Sequence, residues 1–358
     1  MDPLAGIALS AAVATWRTAF ICCAGATLAV ALGTAALAQT SPPPAPLAVD
    51  GGKPADHRSV SEWLMRTHEA SRRRAYVGTF VVLTGGTLSS ARIWHVCDGE
   101  QQMERVESLT GAPRSTFRRN DQVLTFLPER RVVVAEKRES LGLFPNLLQS
   151  SDSSIAQFYR IKAVGSERVA GFEADVVQLR PEDGWRFGYR VWTEKKSGLM
   201  VKLQTLDVHG HVLEQAAFSE LQLDVPVSMT TLTQMMGKTE GYQIETPDMV
   251  KTTASAEGWV LKNAVPGFKP MSCYKRAVGA TAHARHENTL QWIFSDGLAS
   301  VSLFVEAFDP RRHAQPGSMA IGATHTLTRR IGDWWLTAVG EVPAQTLLAF
   351  AQGLDRKK

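Results

Sequence analysis

The sequence predicts an α+β fold, mostly antiparallel β, in two domains, and three observations predict it. Short runs rich in β-branched and aromatic residues follow one another from Tyr76 to Gln222, each bounded by a turn signal. Helical periodicity marks a segment before these runs and another near the end of the chain. Between residues 225 and 254 no period is sustained, so the strands fall into two groups.

Residues 1–38 read as an export signal. One basic residue, Arg17, precedes an apolar run from Ala19 to Leu37, and Ala36-Leu37-Ala38 offers the small residues a signal peptidase requires. The run is also about long enough to span a bilayer, so an uncleaved anchor is the rival reading. Cleavage removes Asp2 and Arg17 together and leaves the net charge at +4, too mild for a nucleic-acid partner. Cys97 and Cys273 remain. Export permits a disulfide, but two lone cysteines in different domains more often stay buried and free. Residues 39–58, with Ser41-Pro42-Pro43-Pro44, are expected to form a disordered leader.

The first domain is expected over 59–224. Ser59-x-x-Glu62 is a capping box, and Val60, Trp63, Leu64, Thr67 and Ala70/Ser71 recur at helical spacing. Arg72, Arg73 and Arg74 suit the C-terminus of that helix. Strands are expected at 76–83, 92–96, 102–108, 115–119, 122–127 and 131–136. Residues 145–154 read as a loop or short helix, and 154–160 fits strand or helix. Further strands follow at 161–167, 172–181, 187–194, 199–207 and 212–222. Turns are marked by Gly85-Gly86, Ala170-Gly171, Asp183-Gly184, Ser197-Gly198 and His209-Gly210. So many short strands argue for a curved antiparallel sheet, barrel-like or half-barrel.

Residues 225–254 read as a linker, and the second domain is expected over 255–352. Its elements are a short strand at 258–262, a hairpin of 290–295 with 298–308 around Asp296-Gly297, and a pair, 321–330 with 334–341, around Gly332-Asp333. Pro343 opens a helix over 344–352.

Each catalytic template fails. Gly237-Lys238-Thr239 lacks the glycine of a phosphate loop, because Leu232 stands there. His209-x-His211 lies in a turn with no third metal ligand in register, and His283-x-x-His286 lacks the zincin carboxylate. No serine elbow exists, and Cys97 near His95 reads as a packed or loop-edge thiol. The arginine and lysine doublets at strand ends serve solubility or recognise acidic groups and phosphates; both readings stay open. Phe80, Trp94, Phe126, Trp192 and Phe218 are candidate lipid-cavity residues. They fill the core of a closed barrel, the default, or line an acyl-chain cavity in an open one.

Specific strings add to these patterns. In order they are Tyr76-Val77-Gly78-Thr79-Phe80-Val81, Arg92-Ile93-x-His95, Glu104-Arg105 with Leu109-Thr110-Gly111, and Arg168-Val169-Ala170-Gly171. Then come Arg186-Phe187-Gly188-Tyr189-Arg190-Val191-Trp192, Pro266-Gly267-Phe268, the run from Phe294 to Ser302, and Gly340-Glu341-Val342-Pro343. Together they resemble the RseB/MucB family of sigma-E (AlgU-type) regulatory proteins, over about Ser59 to Leu348. Phe187 departs from the family's Arg-Tyr-Gly-Tyr string. The resemblance implies a LolA/LolB-like half-barrel with helices, followed by a smaller α+β domain. It implies a periplasmic protein that is not an enzyme and uses no cofactor or metal. Such a protein negatively regulates the envelope stress response. It binds the periplasmic segment of an anti-sigma factor of RseA/MucA type, shields it from site-1 proteolysis, and is released by lipopolysaccharide or another acylated lipid. Arg186, Tyr189, Ser295, Asp296 and Glu341 are candidate partner-binding residues, on an interdomain face expected to hold the peptide. Monomer and homo-oligomer both stay open. The alternative is a periplasmic lipid or lipoprotein carrier, which the first domain alone suits equally well.

Overall fold

The computed structural model describes residues 59–99, 101–137, 155–247, 249–278, 287–313 and 315–357. The expectations for residues 1–58, for 145–154 and for His283 and His286 concern positions outside these residues.

Helix α1 (Val60–Arg73) begins on the capping box: the Ser59 side chain accepts from the Glu62 amide, and the Glu62 carboxylate accepts from the Ser59 amide at 2.8 Å. Its buried stripe is Val60, Trp63, Leu64, Thr67, Ala70 and Ser71. Strands β1 (Tyr76–Thr84), β2 (Thr87–Cys97), β3 (Gln102–Ser108), β4 (Ser115–Arg119), β5 (Gln122–Leu127) and β6 (Val132–Lys137) then meander. Gly85 and Gly86 both take positive φ, as the two-residue turn between β1 and β2 requires. Residues 155–160, where helix and strand both fitted, contain one of each. The short helix α2 (Ile155–Phe158) runs directly into β7 (Tyr159–Val169). Strands β8 (Phe172–Pro181), β9 (Gly188–Glu194), β10 (Met200–Leu206) and β11 (Val212–Leu223) complete the meander.

Residues 225–254 are structured rather than a plain linker. They carry α3 (Met229–Met236), β12 (Gln243–Glu245) and β13 (Met249–Lys251). An eight-residue helix and three-residue strands are too short to show a period, which is why the sequence hid them. Strand β12 adds in parallel to β6, whereas β13 pairs with a strand of the second domain.

The first sheet has twelve strands in the order β12-β6-β5-β4-β3-β2-β1-β11-β10-β9-β8-β7. Its end strands, β12 and β7, do not pair with each other, so the sheet is open and not a closed barrel. Both faces are covered, by different groups. Alternation turns Tyr76, Phe80, Ala91, Ile93, Val106 and Phe218 to one face, where α1 packs with Trp63 and Leu64. Val96, Met103, Phe117, Phe126 and Val133 face the other way, under Leu232 and Met236 of α3. Each large side chain buried in this way contributes roughly 1.5–3 kcal/mol.

The second domain contains β14 (Trp259–Leu261), β15 (Lys269–Val278), β16 (Glu287–Ser295), β17 (Ser300–Ala307), β18 (Gly317–Ile321), β19 (Thr324–Ile331) and β20 (Trp334–Gly340). Helix α4 (Ala344–Gly353) and β21 (Leu354–Arg356) end it. Its sheet runs β13-β15-β16-β17-β20-β19-β18, with β14 and β21 as a separate pair. The run expected as one strand over 321–330 is broken at Gly322, where φ is +59, and belongs to two strands. Helix α4 lies on β19 and β20 and buries Leu347, Phe350 and Ala351 in the second core. Cys97 and Cys273 are both free thiols, and burial pushes the Cys273 thiol up to about 11.

Gly78 on β1 has no room for a side chain: a Cβ would stand 2.6 Å from the Phe218 ring and 2.8 Å from the Glu220 carbonyl. Gly78→Ala is therefore expected to destabilise the protein by about 1–3 kcal/mol, read as a lower midpoint in thermal unfolding. An unchanged midpoint would mean that Phe218 moves aside freely.

Candidate functional site

The two domains meet around one side chain. Arg186 lies near the end of the loop between β8 and β9, and it has no exposure to solvent. Asp183 folds that loop, accepting from the Trp185 amide at 3.0 Å and from Arg186 Nε at 3.1 Å. The guanidinium is thereby aimed at the second domain. There Arg186 Nη1 donates to Asp296 Oδ2 at 3.1 Å, and Nη2 donates to the Pro266 carbonyl.

Asp296 occupies the tight turn between β16 and β17. Its Oδ1 accepts from the amides of Leu298 and Ala299 at 2.9 and 2.7 Å. Ser295 holds the same turn, donating to the Ala299 carbonyl and accepting from the Gly297 amide. Tyr159 OH donates to Asp296 Oδ2 at 3.2 Å, so four donors surround the carboxylate. Burial still raises the Asp296 pKa above its ordinary value, against Arg186 and these hydrogen bonds. Burial also pushes the Tyr159 phenol well above its ordinary range, and Asp296 adds to the effect.

Aromatic rings enclose the cation. Its centre lies 4.3 Å from the Phe158 ring centroid, 5.3 Å from Phe268 and 5.7 Å from Tyr159. Gly267 completes the enclosure. Its φ is +81, and a Cβ there would come within 2.8 Å of Phe158 and 2.9 Å of the guanidinium nitrogens.

Around this pair the domains exchange side chains. Leu298, from the second domain's hairpin, is buried in the first core. Trp185, from the first domain's loop, packs on the second core. The N-terminus of α4 grips the same loop, with Thr346 Oγ1 donating to the Trp185 carbonyl at 2.7 Å and Gln345 donating to that of Gly184. Phe187 stands edge-on to His325, with centroids 5.6 Å apart. A second contact lies at the far end of β1. A Cβ on Gly322 would be 2.6 Å from Thr84, and one on Gly85 would be 3.2 Å from Ile321.

The structure thus brings together four of the five candidate partner residues. Arg186 and Asp296 touch; Ser295 shapes the turn that presents Asp296; Tyr189 lies one ring away, 6.2 Å from Tyr159. All four are buried, so they fix how the domains meet instead of facing a partner directly. Glu341 is half-buried and follows Gly340, the partner of Val301 in the sheet. Sequence reasoning missed Tyr159, Asp183 and Gly267 as members of this junction. Tyr159 fell in the segment whose structure was undecided, and the other two read as ordinary turn residues.

The five candidate lipid-cavity aromatics are not gathered. Phe80 and Phe218 belong to the core beneath α1, where they meet edge to face at 6.2 Å, whereas pairing through Lys202 and Ala217 to Val81 turns Trp192 to the opposite face. Trp192 Nε1 donates to Glu167, and the Lys202 ammonium lies 4.2 Å above the ring. Trp94 and Phe126 belong to the opposite face, under α3. Phe126 packs between Phe117 and Tyr242, while Arg105 covers Trp94 at 4.7 Å. A cleft of about 430 Å³ does open between the start of α1 and the start of β7, lined by Ser59, Val60, Gln157, Tyr159, Arg160 and Glu182. Through Tyr159 it abuts the junction.

Comparison with known proteins gives two family matches in order along the chain. A MucB/RseB N-terminal domain matches residues 59–236, and a MucB/RseB C-terminal domain matches 253–355. The chain is similar to the sigma factor AlgU regulatory protein MucB of Pseudomonas aeruginosa, 28% identical over 80% of this chain and 88% of that one. It is similar to the sigma-E factor regulatory protein RseB of Escherichia coli, 24% identical over 81% of this chain and 89% of that one. A solved complex of MucA and MucB from Pseudomonas aeruginosa contains a chain of similar fold, with a TM-score of 0.64 and 25% identity. The match covers 83% of this chain and 99% of that one.

Removing one partner of a buried pair strands the other. Arg186→Met is expected to cost roughly 3–5 kcal/mol in urea unfolding, and Arg186→Met with Asp296→Leu to recover most of it. A single-variant loss below about 1 kcal/mol would mean that the pair does not hold the junction.

Proposed function

This chain belongs to the MucB/RseB family, and from that premise we propose that it is a periplasmic negative regulator of the envelope stress response. In this reading it binds the periplasmic segment of an anti-sigma factor of RseA/MucA type and shields it from site-1 proteolysis. Lipopolysaccharide or another acylated lipid releases it. The family is regulatory and not enzymatic. The observation that carries the reading is that both domain matches lie in order over nearly all of the described chain, while a relative that this chain matches over 99% of its length has been solved with MucA bound.

The physical requirements of such a task are modest and fit this architecture. Occlusion needs surface and a defined shape, not a nucleophile. A segment that is disordered when free loses entropy on binding, which moderates affinity and keeps the complex reversible. The buried candidates Arg186, Tyr189, Ser295 and Asp296 would act on the partner indirectly, by setting the angle between the two domains that a peptide spans. Lipid and peptide need not share a site. If lipid weakens peptide binding, peptide weakens lipid binding by the same factor. An acyl chain would reach Phe80 and Phe218 only by opening the core under α1, and Trp94, Phe126 and Trp192 only from the other face. Release by lipid would then be a conformational event.

A pull-down of the chain from Gln39 onward, against the periplasmic segment of the anti-sigma factor from the same genome, tests the proposal. Retention of that segment, reduced when lipopolysaccharide is added, is the expected result. Absence of binding at micromolar concentration would overturn the regulator reading. Binding that lipid leaves unchanged would overturn the release step alone.

A further inference from the structure

Away from the junction, four titratable side chains form one row on the face of the first sheet that α1 covers. Tyr76 on β1 is paired with His95 on β2, His95 with Glu104 on β3, and Glu104 with Arg118 on β4. The Tyr76 ring stacks on the imidazole, centroids 4.9 Å apart and planes 18° apart. Arg118 Nε donates to Glu104 Oε2 at 2.8 Å, and Arg118 Nη2 donates to Gln102. His95 is fully buried.

The hydrogen bonding fixes the tautomer. His95 Nδ1 lies 2.7 Å from the carbonyl oxygen of Arg74, the C-cap of α1. A carbonyl only accepts, so Nδ1 carries the proton and the neutral ring leaves Nε2 as a bare acceptor. Nε2 is buried without a hydrogen-bond partner and faces Glu104 Oε1 at 3.8 Å. Two acceptors therefore confront each other in a dry site. The same neighbourhood ties down the end of α1. Gln102 Nε2 donates to the Arg72 carbonyl, the Asp224 amide donates to that of Ala75, and Arg74 pairs with the Asp224 carboxylate at 2.7 Å.

We propose that this row is an acid-sensitive joint, in which protonation of His95 at Nε2 loosens the attachment of α1 to the sheet. The proton would place a charge in a site closed to water. Glu104 and the carbonyl end of α1 favour that charge, whereas burial and Arg118 oppose it. Burial is the largest influence, and the imidazole pKa lies below its ordinary value. Burial works to raise the Glu104 carboxyl as well, but Arg118 and His95 outweigh it and hold the pKa below the ordinary carboxylate range. Tyr76 stays neutral throughout, its phenol pushed well up by burial.

The sign of the effect follows from linkage. With the folded-state pKa lowered, the stability contributed by neutral His95 is complete above the ordinary imidazole value of about 6.5 and is lost as pH falls below it. The lost attachment would free the side of α1 that carries Trp63 and Leu64 and, through Arg66, its hold on the Lys195 carbonyl.

Amide hydrogen exchange over residues 60–74 of the full chain, at about pH 7.5 and about pH 5.5, tests the joint. After correction for intrinsic exchange, the opening constant of the wild type is expected to rise by up to about tenfold for each pH unit below the ordinary imidazole value. His95→Asn keeps a donor for the Arg74 carbonyl without a titrating nitrogen, and its opening constant is expected to stay flat. The same acid response in both proteins would overturn the proposal. Should the variant fail to fold, NMR titration of the His95 ring in the wild type decides: a pKa at or above about 6.5 overturns it, and a lower one supports it.

Discussion

A guanidinium shut away from water has to be satisfied on every side, and much of this molecule follows from satisfying Arg186. Its donors are met by a carboxylate from its own loop, a carboxylate from the other domain and a backbone carbonyl from a third segment. Its faces are met by Phe158, Tyr159 and Phe268. Each of those groups has to be held in turn. Asp296 is held by a turn that its own side chain and Ser295 help to close. Pro266 can approach because Gly267 has no Cβ. A buried pair of this kind is weak as a source of stability but strict as a specification, because few arrangements of the two domains satisfy both charges.

The same constraint explains why the junction is built from loops. The loop before β9 and the turn after β16 each carry one apolar side chain into the opposite core, Trp185 one way and Leu298 the other. Interdomain contacts within a chain are ordinarily modest and mobile. Here the exchanged side chains and the desolvated pair oppose that mobility. A protein whose proposed task is to cover a segment of another chain has use for a fixed angle between its domains.

The first domain solves a different problem. An open sheet of twelve strands presents two long faces, and one helix cannot cover both. The chain sends α1 to one face and, after finishing the meander, α3 to the other. Strand β12 then extends the edge beyond β6 before the chain leaves for the second sheet at β13. The row from Tyr76 to Arg118 is a polar strip on the face that α1 covers. Its groups and the neighbouring Gln102 hold the last carbonyls of the helix, so the C-terminal end of the helix is attached by polar contacts, while its buried stripe is attached by apolar packing and Arg66 bonds the Lys195 carbonyl.

Much of the fold was legible because its signals are local. Strands β3, β4, β5 and β8 start and end where alternation and turn residues place them, and the capping box at Ser59 starts α1. Period and turn chemistry act over a few residues, so a sequence displays them directly. The ordered strings from Tyr76 to Pro343 carried the family as well, which no single string could do. What stayed hidden depends on distance along the chain. Tyr159 and Asp296 are 137 residues apart, and Arg186 and Asp296 are 110 apart. No local pattern records that they share a buried, donor-rich pocket. Arg186, Tyr189, Ser295 and Asp296 could be singled out from the sequence, but their burial could not, because burial is decided by what the other domain brings. The aromatics Phe80 and Trp94 both read as strand residues, and their assignment to opposite faces followed only once pairing had set the register. Sequence therefore determined most of the elements, the short ones between 225 and 254 excepted, and the family. Tertiary structure alone decided which charges lost their water, and with that loss which residues lock the domains together.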